Sequence, residues 1–227
     1  MRFSISSVFL VFMMFLSACE PEPQPEKKKK KKKMQPEHSP TFAVCIWDGA
    51  SVRQGPSAEA KWITSLSLGE KLTWLGIEKP DSAKPERYYY KIMLSDSTIG
   101  WSSEYVIVEG EPGVIVSQTP VFKRPDLITM TETQLMPMSF VAVTESEGEW
   151  VSIVGNQNKP RGWIKLDAVS LKADDVAIGV IFTKLQGSED KQEKYQKLQT
   201  LINNPVFENS VFIDDLKKEL GDFESKD

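Results

Sequence analysis

Hydrophobic and polar residues follow three successive patterns along the chain. An apolar run at residues 8–16 comes first, and the segment after it has almost no apolar side chains. From residue 42 to about residue 170, short apolar segments alternate with turn residues, which is typical of short antiparallel strands. Beyond residue 172 the apolar period changes from two to about 3.6, which indicates helices. The pattern predicts a mainly β protein with a helical C-terminal segment.

Six short strands are predicted in the first half of the β region, at residues 42–47, 51–56, 62–68, 71–77, 88–94 and 99–102. Turn signals such as Asp48-Gly49, Gly69-Glu70 and Ser95-Asp96 lie between them. Strands of this length at this spacing predict a small antiparallel barrel or sandwich.

The same segments resemble the bacterial SH3 (SH3b) domains. Residues 51–56 (SVRQGP) resemble the opening N-V-R-x-G-P motif, and residues 68–72 (LGEKL) resemble the hairpin that follows it. Residues 90–92 (YKI) match the next strand of that family, and residues 99–102 (IGWS) match its Gly-Trp signature. The resemblance implies an SH3-like barrel over residues 40–110.

A second, degenerate copy follows at residues 111–171. Residues 121–125 (VFKRP) align with residues 52–56 at an offset of 69, and residues 150–153 (WVSI) align with residues 89–92 (YYKI). Residues 161–164 (RGWI) repeat the Gly-Trp signature, whereas Arg124 replaces the glycine that precedes proline. The predicted fold is therefore two small SH3-like barrels in tandem, followed by a helical region at residues 172–227.

The N-terminus has the features of an export signal. The apolar run follows Arg2, is too short to span a bilayer, and ends in Leu16-Ser17-Ala18-Cys19. These four residues resemble the lipobox of bacterial lipoproteins, which implies a signal peptide at residues 1–18 and an acylated (palmitate-bearing) Cys19 that attaches the chain to a membrane. An ordinary signal peptide is the alternative. Because Glu20 is not the aspartate that retains enteric lipoproteins at the inner membrane, the resemblance favours the outer membrane.

Residues 19–39 are predicted to form a disordered, extended tether rich in Pro, Glu and Lys. Its lysine run can adhere to anionic lipids or acidic wall polymers, or it can serve as a soluble spacer. The run consists of Lys27, Lys28, Lys29, Lys30, Lys31, Lys32 and Lys33.

Charge excludes one class of partner. Beyond residue 39 the chain has 20 basic and 28 acidic residues, a net charge of about −8. Nucleic-acid partners require basic surface, so none is expected.

Aromatic residues are the predicted ligand contacts. Trp47, Trp62, Tyr88 and Tyr89 have no evident core role, and at least one ring of the Tyr88-Tyr89-Tyr90 run is expected to be exposed because strand side chains alternate. Trp101 and Trp163, beside the signature glycines, are either plugs at the end of a small core or platforms for a ligand.

The sequence offers no evident catalytic machinery. Some SH3b domains accompany NlpC-type cysteine peptidases, which need a Cys-His pair, but His38 falls in the tether and Cys45 is predicted to be a small core side chain. Asp174 and Asp175 suit the start of a helix. The chain is therefore predicted not to be an enzyme and to hold no cofactor or metal.

Together these features predict a non-enzymatic, lipid-anchored protein of the bacterial cell envelope whose SH3b-like modules bind peptidoglycan or a peptide ligand. The alternatives are a protein-interaction scaffold of an envelope complex and a surface-exposed adhesin. The helical tail either packs on the second module or forms a hairpin that binds a partner.

Overall fold

The computed structural model describes residues 38–224. The predicted signal peptide at residues 1–18, the acylation site Cys19 and the lysine run at residues 27–33 lie outside the described residues. Between residues 38 and 224, no helix is long and apolar enough to cross a membrane.

The first sheet has seven antiparallel strands, in the order β3-β2-β6-β5-β4-β1-β7. The strands are β1 (Thr41–Cys45), β2 (Ala50–Arg53), β3 (Trp62–Leu66), β4 (Lys71–Pro80), β5 (Tyr88–Met93), β6 (Ile99–Ser103) and β7 (Ile107–Glu109). Strand β4 is longer than predicted because a bulge between Trp74 and Glu78 carries its pairing with β5 onward to Pro80.

The second sheet repeats this topology with every strand number raised by seven, in the order β10-β9-β13-β12-β11-β8-β14. Its strands are β8 (Glu111–Ile115), β9 (Thr119–Phe122), β10 (Met130–Leu135), β11 (Phe140–Glu147), β12 (Trp150–Gly155), β13 (Arg161–Lys165) and β14 (Val169–Ser170). The register repeats as well, since Lys91 lies opposite Trp101 and Ser152 lies opposite Trp163. The prediction of a mainly β fold is confirmed. We refer to the two sheets as the first and second modules.

The two signature glycines lie where strands approach most closely. A Cβ atom on Gly100 would lie 2.4 Å from Cγ1 of Val52, and one on Gly162 would lie 2.6 Å from the carbonyl oxygen of Phe122. A side chain at either position would therefore force β6 away from β2, or β13 away from β9.

A tight turn precedes β4 and β11, and the two modules form it with different residues. Gly69 has φ +76° in the first module, and Met138 has φ +62° at the corresponding position of the second. Positive φ is unfavourable for a residue with a side chain, by about 1–2 kcal/mol. Met138 is nevertheless buried beneath the C-terminal helices, and its packing offsets this cost.

Three helices follow the second sheet: α1 (Ala173–Gln186), α2 (Lys191–Asn203) and α3 (Ile213–Glu224). Their apolar faces meet the second sheet in one buried cluster that includes Val114, Ile178, Leu198, Phe212 and Leu216. The tail therefore packs on the second module. Gly187 ends α1 as predicted, whereas α3 continues past Gly221, which the pattern placed beyond its end.

Asp175 is a fully buried carboxylate at the start of α1. It accepts hydrogen bonds from the Ser170 hydroxyl (2.6 Å), the Ser210 hydroxyl (2.7 Å) and the Val211 amide (3.1 Å). Hydrogen bonds to a charged group are stronger than those between neutral groups. Asp175 thus joins the end of the second sheet to the segment before α3, a role that its position in the sequence does not reveal.

The two modules share a buried apolar cluster. Val44 and Ile46 of the first module pack with Phe140, Ala142 and Val154 of the second. A backbone hydrogen bond of 2.9 Å from the Gln157 amide to the Ile46 carbonyl adds to this contact. The modules therefore form one packed body.

An ion pair joins helix α1 to the first module. The Lys184 ammonium lies 2.6 Å from the Asp48 carboxylate. Partial burial by itself raises the pKa of Asp48, but the hydrogen bonds from Lys184 and from the Leu68 amide outweigh it, and the pKa is lowered.

Candidate functional site

A row of aromatic and cationic side chains crosses the first sheet. Trp62 lies opposite Arg53, Arg53 opposite Trp101, and Trp101 opposite Lys91. Directly opposed residues lie on the same face of a sheet. The neighbours Val52 and Ile92 belong to the buried core cluster, so this row lies on the opposite face. We call this the outer face of the first module.

A second row continues the outer face. Lys79 lies opposite Tyr89, and Tyr89 lies opposite Ser103. The Lys79 ammonium is 5.5 Å from the centre of the Trp101 ring, within the range of a cation–π contact.

Trp101 and Tyr89 are each only 8% exposed although neither belongs to a core cluster. Trp101 is therefore neither a plug of the core nor an open platform: it is a buried ring on the outer face, covered in part by the Lys79 side chain. Trp62, by contrast, is 55% exposed and presents its ring to solvent.

The expectation of an exposed ring in the Tyr88-Tyr89-Tyr90 run is wrong. Tyr89 is buried, and Tyr88 and Tyr90 are half-buried. Strand alternation does place Tyr89 and Tyr90 on opposite faces, but each of the two rings is covered by neighbouring side chains. Tyr90 stacks on Trp74 with ring centres 4.6 Å apart.

Two loops beside the outer face are joined by Asp81. Its carboxylate accepts hydrogen bonds from the Ala83 amide (2.8 Å) and, more weakly, from the Ala58 amide (3.4 Å). The Ala83 amide is the main reason that the pKa of Asp81 is lowered. In the first of these loops, the Ala60 carbonyl accepts a hydrogen bond of 2.8 Å from the Arg53 guanidinium, which fixes Arg53 in place.

Charges of both signs surround Tyr89 on the outer face, and its pKa is raised. Burial raises the pKa of Tyr89, and the negative charge of Asp81 raises it further, whereas the positive charges of Arg53 and Arg87 lower it. Within residues 38–224, no carboxylate lies within ion-pair distance of Arg53, Lys79, Arg87 or Lys91. These cations therefore keep hydrogen-bonding capacity for a ligand, in a folded part whose net charge is negative.

The second module carries a more apolar version of this face. Trp163 lies opposite Phe122 and Ser152, and the buried Phe122 ring meets Trp150 edge-on at 4.8 Å. The Lys165 ammonium covers the Trp150 ring at 4.1 Å from its centre and is paired with Glu149 at 3.0 Å. A shallow groove of about 530 Å³ lies beside this pair. Trp163 itself is half-buried.

Trp47 stands apart from both rows of the outer face. It is half-buried against the core of the first module, and its ring centre is 5.8 Å from that of the exposed Tyr105. The structure thus brings together Trp62, Tyr89 and Trp101 but not Trp47, and Trp163 belongs to the other module.

Cys45 and His38 are both held by the first module. The Cys45 thiol is buried and donates to the Trp47 carbonyl at 3.0 Å, and burial raises its pKa to about 11. The prediction of a core side chain is confirmed for Cys45. The sequence pattern placed His38 in the tether. In the structure the His38 ring instead lies against the Trp74 ring, with ring centres 5.3 Å apart. The His38 carbonyl oxygen is so close to Gly76 that a Cβ atom on Gly76 would overlap it. Residues 38–224 contain no group of three or more His, Cys, Asp or Glu side chains placed to hold a metal ion.

The sequence pattern missed the cations Arg53, Lys79 and Lys91 as part of the candidate site. Alternation along β5 places Lys91 and Tyr89 on one face. However, the position of Lys91 near Arg53 and Lys79 depends on the register of four strands. The bulge in β4 shifts that register, and simple alternation does not predict the shift.

Comparisons with known proteins give only distant likenesses. No protein-family model and no curated protein matches the chain. Among solved structures it is similar to NlpC1 from Trichomonas vaginalis (15% identity, TM-score 0.26, 61% of this chain and 48% of that one). It is also similar to NlpC2 from Trichomonas vaginalis, with 13% identity and a TM-score of 0.26; the match covers 71% of this chain and 56% of that one. A third is an NlpC/P60 family protein from Bacillus cereus ATCC 10987 (10%, TM-score 0.24, 57% and 56%).

These neighbours contradict the prediction that the chain is not an enzyme, and we withdraw it. The chain spans about half the length of the solved structures that it matches. At TM-scores below 0.5 the likeness does not assign an activity, so the site is interpreted from its own geometry.

Proposed function

We propose that the chain is a lipid-anchored protein of the bacterial cell envelope whose two SH3-like barrels include a binding module for peptidoglycan or a peptide. The ligand-binding surface is the outer face of the first module. The observation that carries the proposal is the row of Trp62, Arg53, Trp101 and Lys91, in which aromatic and cationic side chains alternate across four strands.

The chemistry of this row suits a ligand with both sugar and peptide character. An exposed indole such as Trp62 can stack on the apolar face of a sugar ring or on a peptide plane. Arg53 and Lys91 supply hydrogen-bond donors beside it, and Arg53 is already fixed by its bond to the Ala60 carbonyl. A fixed donor loses less conformational entropy when a ligand binds.

Retention on purified sacculi tests this function. The chain from residue 34 onward, which lacks the lysine run, should sediment with the sacculi, and Trp62→Ala should reduce retention about fivefold, because stacking on an aromatic side chain contributes on the order of 1 kcal/mol. Ile128→Ala is the matched control, since Ile128 is 87% exposed on the second module. Equal retention of all three proteins would rule out the proposed surface.

Anchoring is tested separately by the mass of the mature N-terminus. A diacylglyceryl group on Cys19 is expected, and Cys19→Ser should move the protein from the membrane fraction to the soluble fraction. An unmodified Cys19 would remove the lipid anchor from the proposal without affecting the outer face.

A second candidate function, a scaffold for another envelope protein, is favoured by one apolar loop on the second module. Leu127, Ile128 and Met130 are 65%, 87% and 61% exposed. The loop is held in shape by the Asp126 carboxylate, which accepts from the Ile128 amide at 3.1 Å. Exposed apolar side chains grouped in this way often mark a protein interface.

A photo-crosslinking residue at Ile128 tests the scaffold function in cells. A discrete crosslinked product with one envelope protein is expected from this position and not from the exposed Ser146. Products of equal yield from both positions, or from neither, would argue against the scaffold.

A further inference from the structure

We infer that the ligand of the outer face carries a carboxylate, and that Lys79 and Lys91 bind it beside the Trp101 ring. This inference rests on the proposed function and adds the chemical class of the ligand. It also assigns a role to two lysines that the aromatic pattern alone leaves out.

Geometry places the two lysines around one ring. Lys91 lies directly opposite Trp101 in the neighbouring strand, and the Lys79 ammonium lies 5.5 Å from the ring centre. Both lysines are on the outer face, because Lys79 lies opposite Tyr89 and Tyr89 is two residues from Lys91 on the same strand. An anion at the edge of the Trp101 ring would therefore meet lysines from two strands, Lys79 of β4 and Lys91 of β5.

The charges around this ring lack described partners. Within residues 38–224, neither Lys79 nor Lys91 has a carboxylate within ion-pair distance. The nearby Asp81 is occupied by the amides of Ala58 and Ala83. In the second module Ser152 takes the place of Lys91, and the cation that covers a ring there, Lys165 over Trp150, is paired with Glu149 at 3.0 Å. Lys79 and Lys91 of the first module therefore keep hydrogen-bonding capacity for a ligand, whereas Lys165 of the second module uses its capacity in the ion pair with Glu149.

A carboxylate fits this arrangement better than a neutral group. Ammonium groups form their strongest hydrogen bonds with anionic oxygens. The negative net charge beyond residue 39 gives no general attraction for anions, so binding depends on these local cations. Peptides that end in a free carboxylate, whether in a cell wall or free in solution, carry this group.

The test compares native sacculi with sacculi whose carboxyl groups have been converted to amides. The chain from residue 34 onward, which lacks the lysine run, should be retained about tenfold less on the amidated sacculi. The double variant Lys79→Gln/Lys91→Gln should show the same loss on native sacculi and no further loss on amidated ones. The double variant Lys79→Arg/Lys91→Arg should restore retention on native sacculi.

The control is Lys123→Gln/Arg124→Gln, which makes the same change in net charge at two exposed residues of the second module. It should be retained like the parent chain. Thermal unfolding of each variant should match the parent, which excludes loss of fold as the cause.

The outcomes separate the inference from the proposed function. Equal retention on native and amidated sacculi overturns the carboxylate and leaves the proposed function standing. A similar loss in the control variant overturns the assignment to Lys79 and Lys91. Absence of retention on both preparations overturns the wall-binding function and the inference together. Competition by a free acetylated dipeptide acid, but not by its amide, would identify a peptide end as the source of the carboxylate.

Discussion

The two modules have the same strand order and register but different chemistry on their outer faces. Where the first module has Arg53 opposite Trp101, the second has Phe122 opposite Trp163. Where the first has Lys91 beside its tryptophan, the second has Ser152. The repeat thus preserves the backbone contacts of the Gly-Trp strand, whereas the side chains around the tryptophan differ between a cationic and a more apolar surface.

The helices show a second difference between the modules. They cover the second sheet through Val114 and Met138, and they contact the first module through the Lys184–Asp48 ion pair. The second module therefore provides most of the apolar surface on which the helices pack, and the first module has the more polar outer face.

Substitution of the signature glycines tests whether both modules require the close approach of two strands at this position. Gly100→Val and Gly162→Val should each lower the free energy of unfolding by about 3 kcal/mol or more, because the new side chain overlaps the opposite strand. Urea denaturation measures this change. Gly221→Ala is the control: it has open space around it and lies inside helix α3, so it should raise the free energy of unfolding by about 0.5–1 kcal/mol and not lower it. A loss in one module alone would show that the close approach is not a shared requirement.

Removal of the buried carboxylate tests how strongly the second module depends on its helices. Asp175→Ala should lower the free energy of unfolding by about 3 kcal/mol, since two hydroxyls and one amide lose a charged partner. The neighbouring Asp174→Ala serves as the control for helix-start effects. Equal losses in the two variants would mean that the buried hydrogen bonds contribute little.

Exchange of the residues opposite the tryptophans sharpens the comparison of the outer faces. Phe122→Arg should lower the free energy of unfolding by about 2 kcal/mol, because Phe122 is buried and a guanidinium at this position would lose part of its hydration. Arg53→Phe should cost about 1 kcal/mol or less, because Arg53 is only partly buried. Thermal and urea unfolding measure both changes. Equal effects would show that the two positions are equally tolerant.

A buried hydroxyl distinguishes the two cores. The Ser102 hydroxyl has no hydrogen-bond partner within the described chain, and Ile164 fills the corresponding position of the second module. Ser102→Ala should therefore raise the free energy of unfolding by about 1 kcal/mol, since an unpaired polar group leaves the core. Ser146→Ala, at an exposed position of strand β11, is the control and should have little effect. A destabilised Ser102→Ala would indicate that the hydroxyl has a partner in solution.

The ion pair between the helices and the first module should have a small effect that depends on pH. Because the pKa of Asp48 is lowered in the folded state, its contribution is present above the unfolded pKa of about 4 and is lost as pH falls through the folded value. Asp48→Asn should thus cost a few tenths of a kcal/mol at pH 7 and less at about pH 2–3, because the pair is partly exposed. Lys184→Gln should flatten the same pH dependence. A cost that does not change with pH would exclude the ion pair as its source.

Much of the architecture follows from local patterns. The pattern of apolar segments and turns located six of the seven strands of the first sheet and missed β7, and the period near 3.6 located the three helices, because burial of one face is a local requirement of each element. Cys45 was correctly placed in a core because it lies within an apolar strand. Alternation failed for Tyr88-Tyr89-Tyr90, since it cannot tell that side chains from other strands cover the second face.

Local sequence patterns are enough to predict the mainly β class, the change to helices near residue 172 and the close packing at the signature glycines. Three features required the folded chain: the row of Trp62, Arg53, Trp101 and Lys91, the positive φ of Met138, and the burial of Asp175 among hydroxyls. The physical reason is that these features depend on register and packing between segments far apart in the chain, whereas periodicity reports only the face that each segment buries.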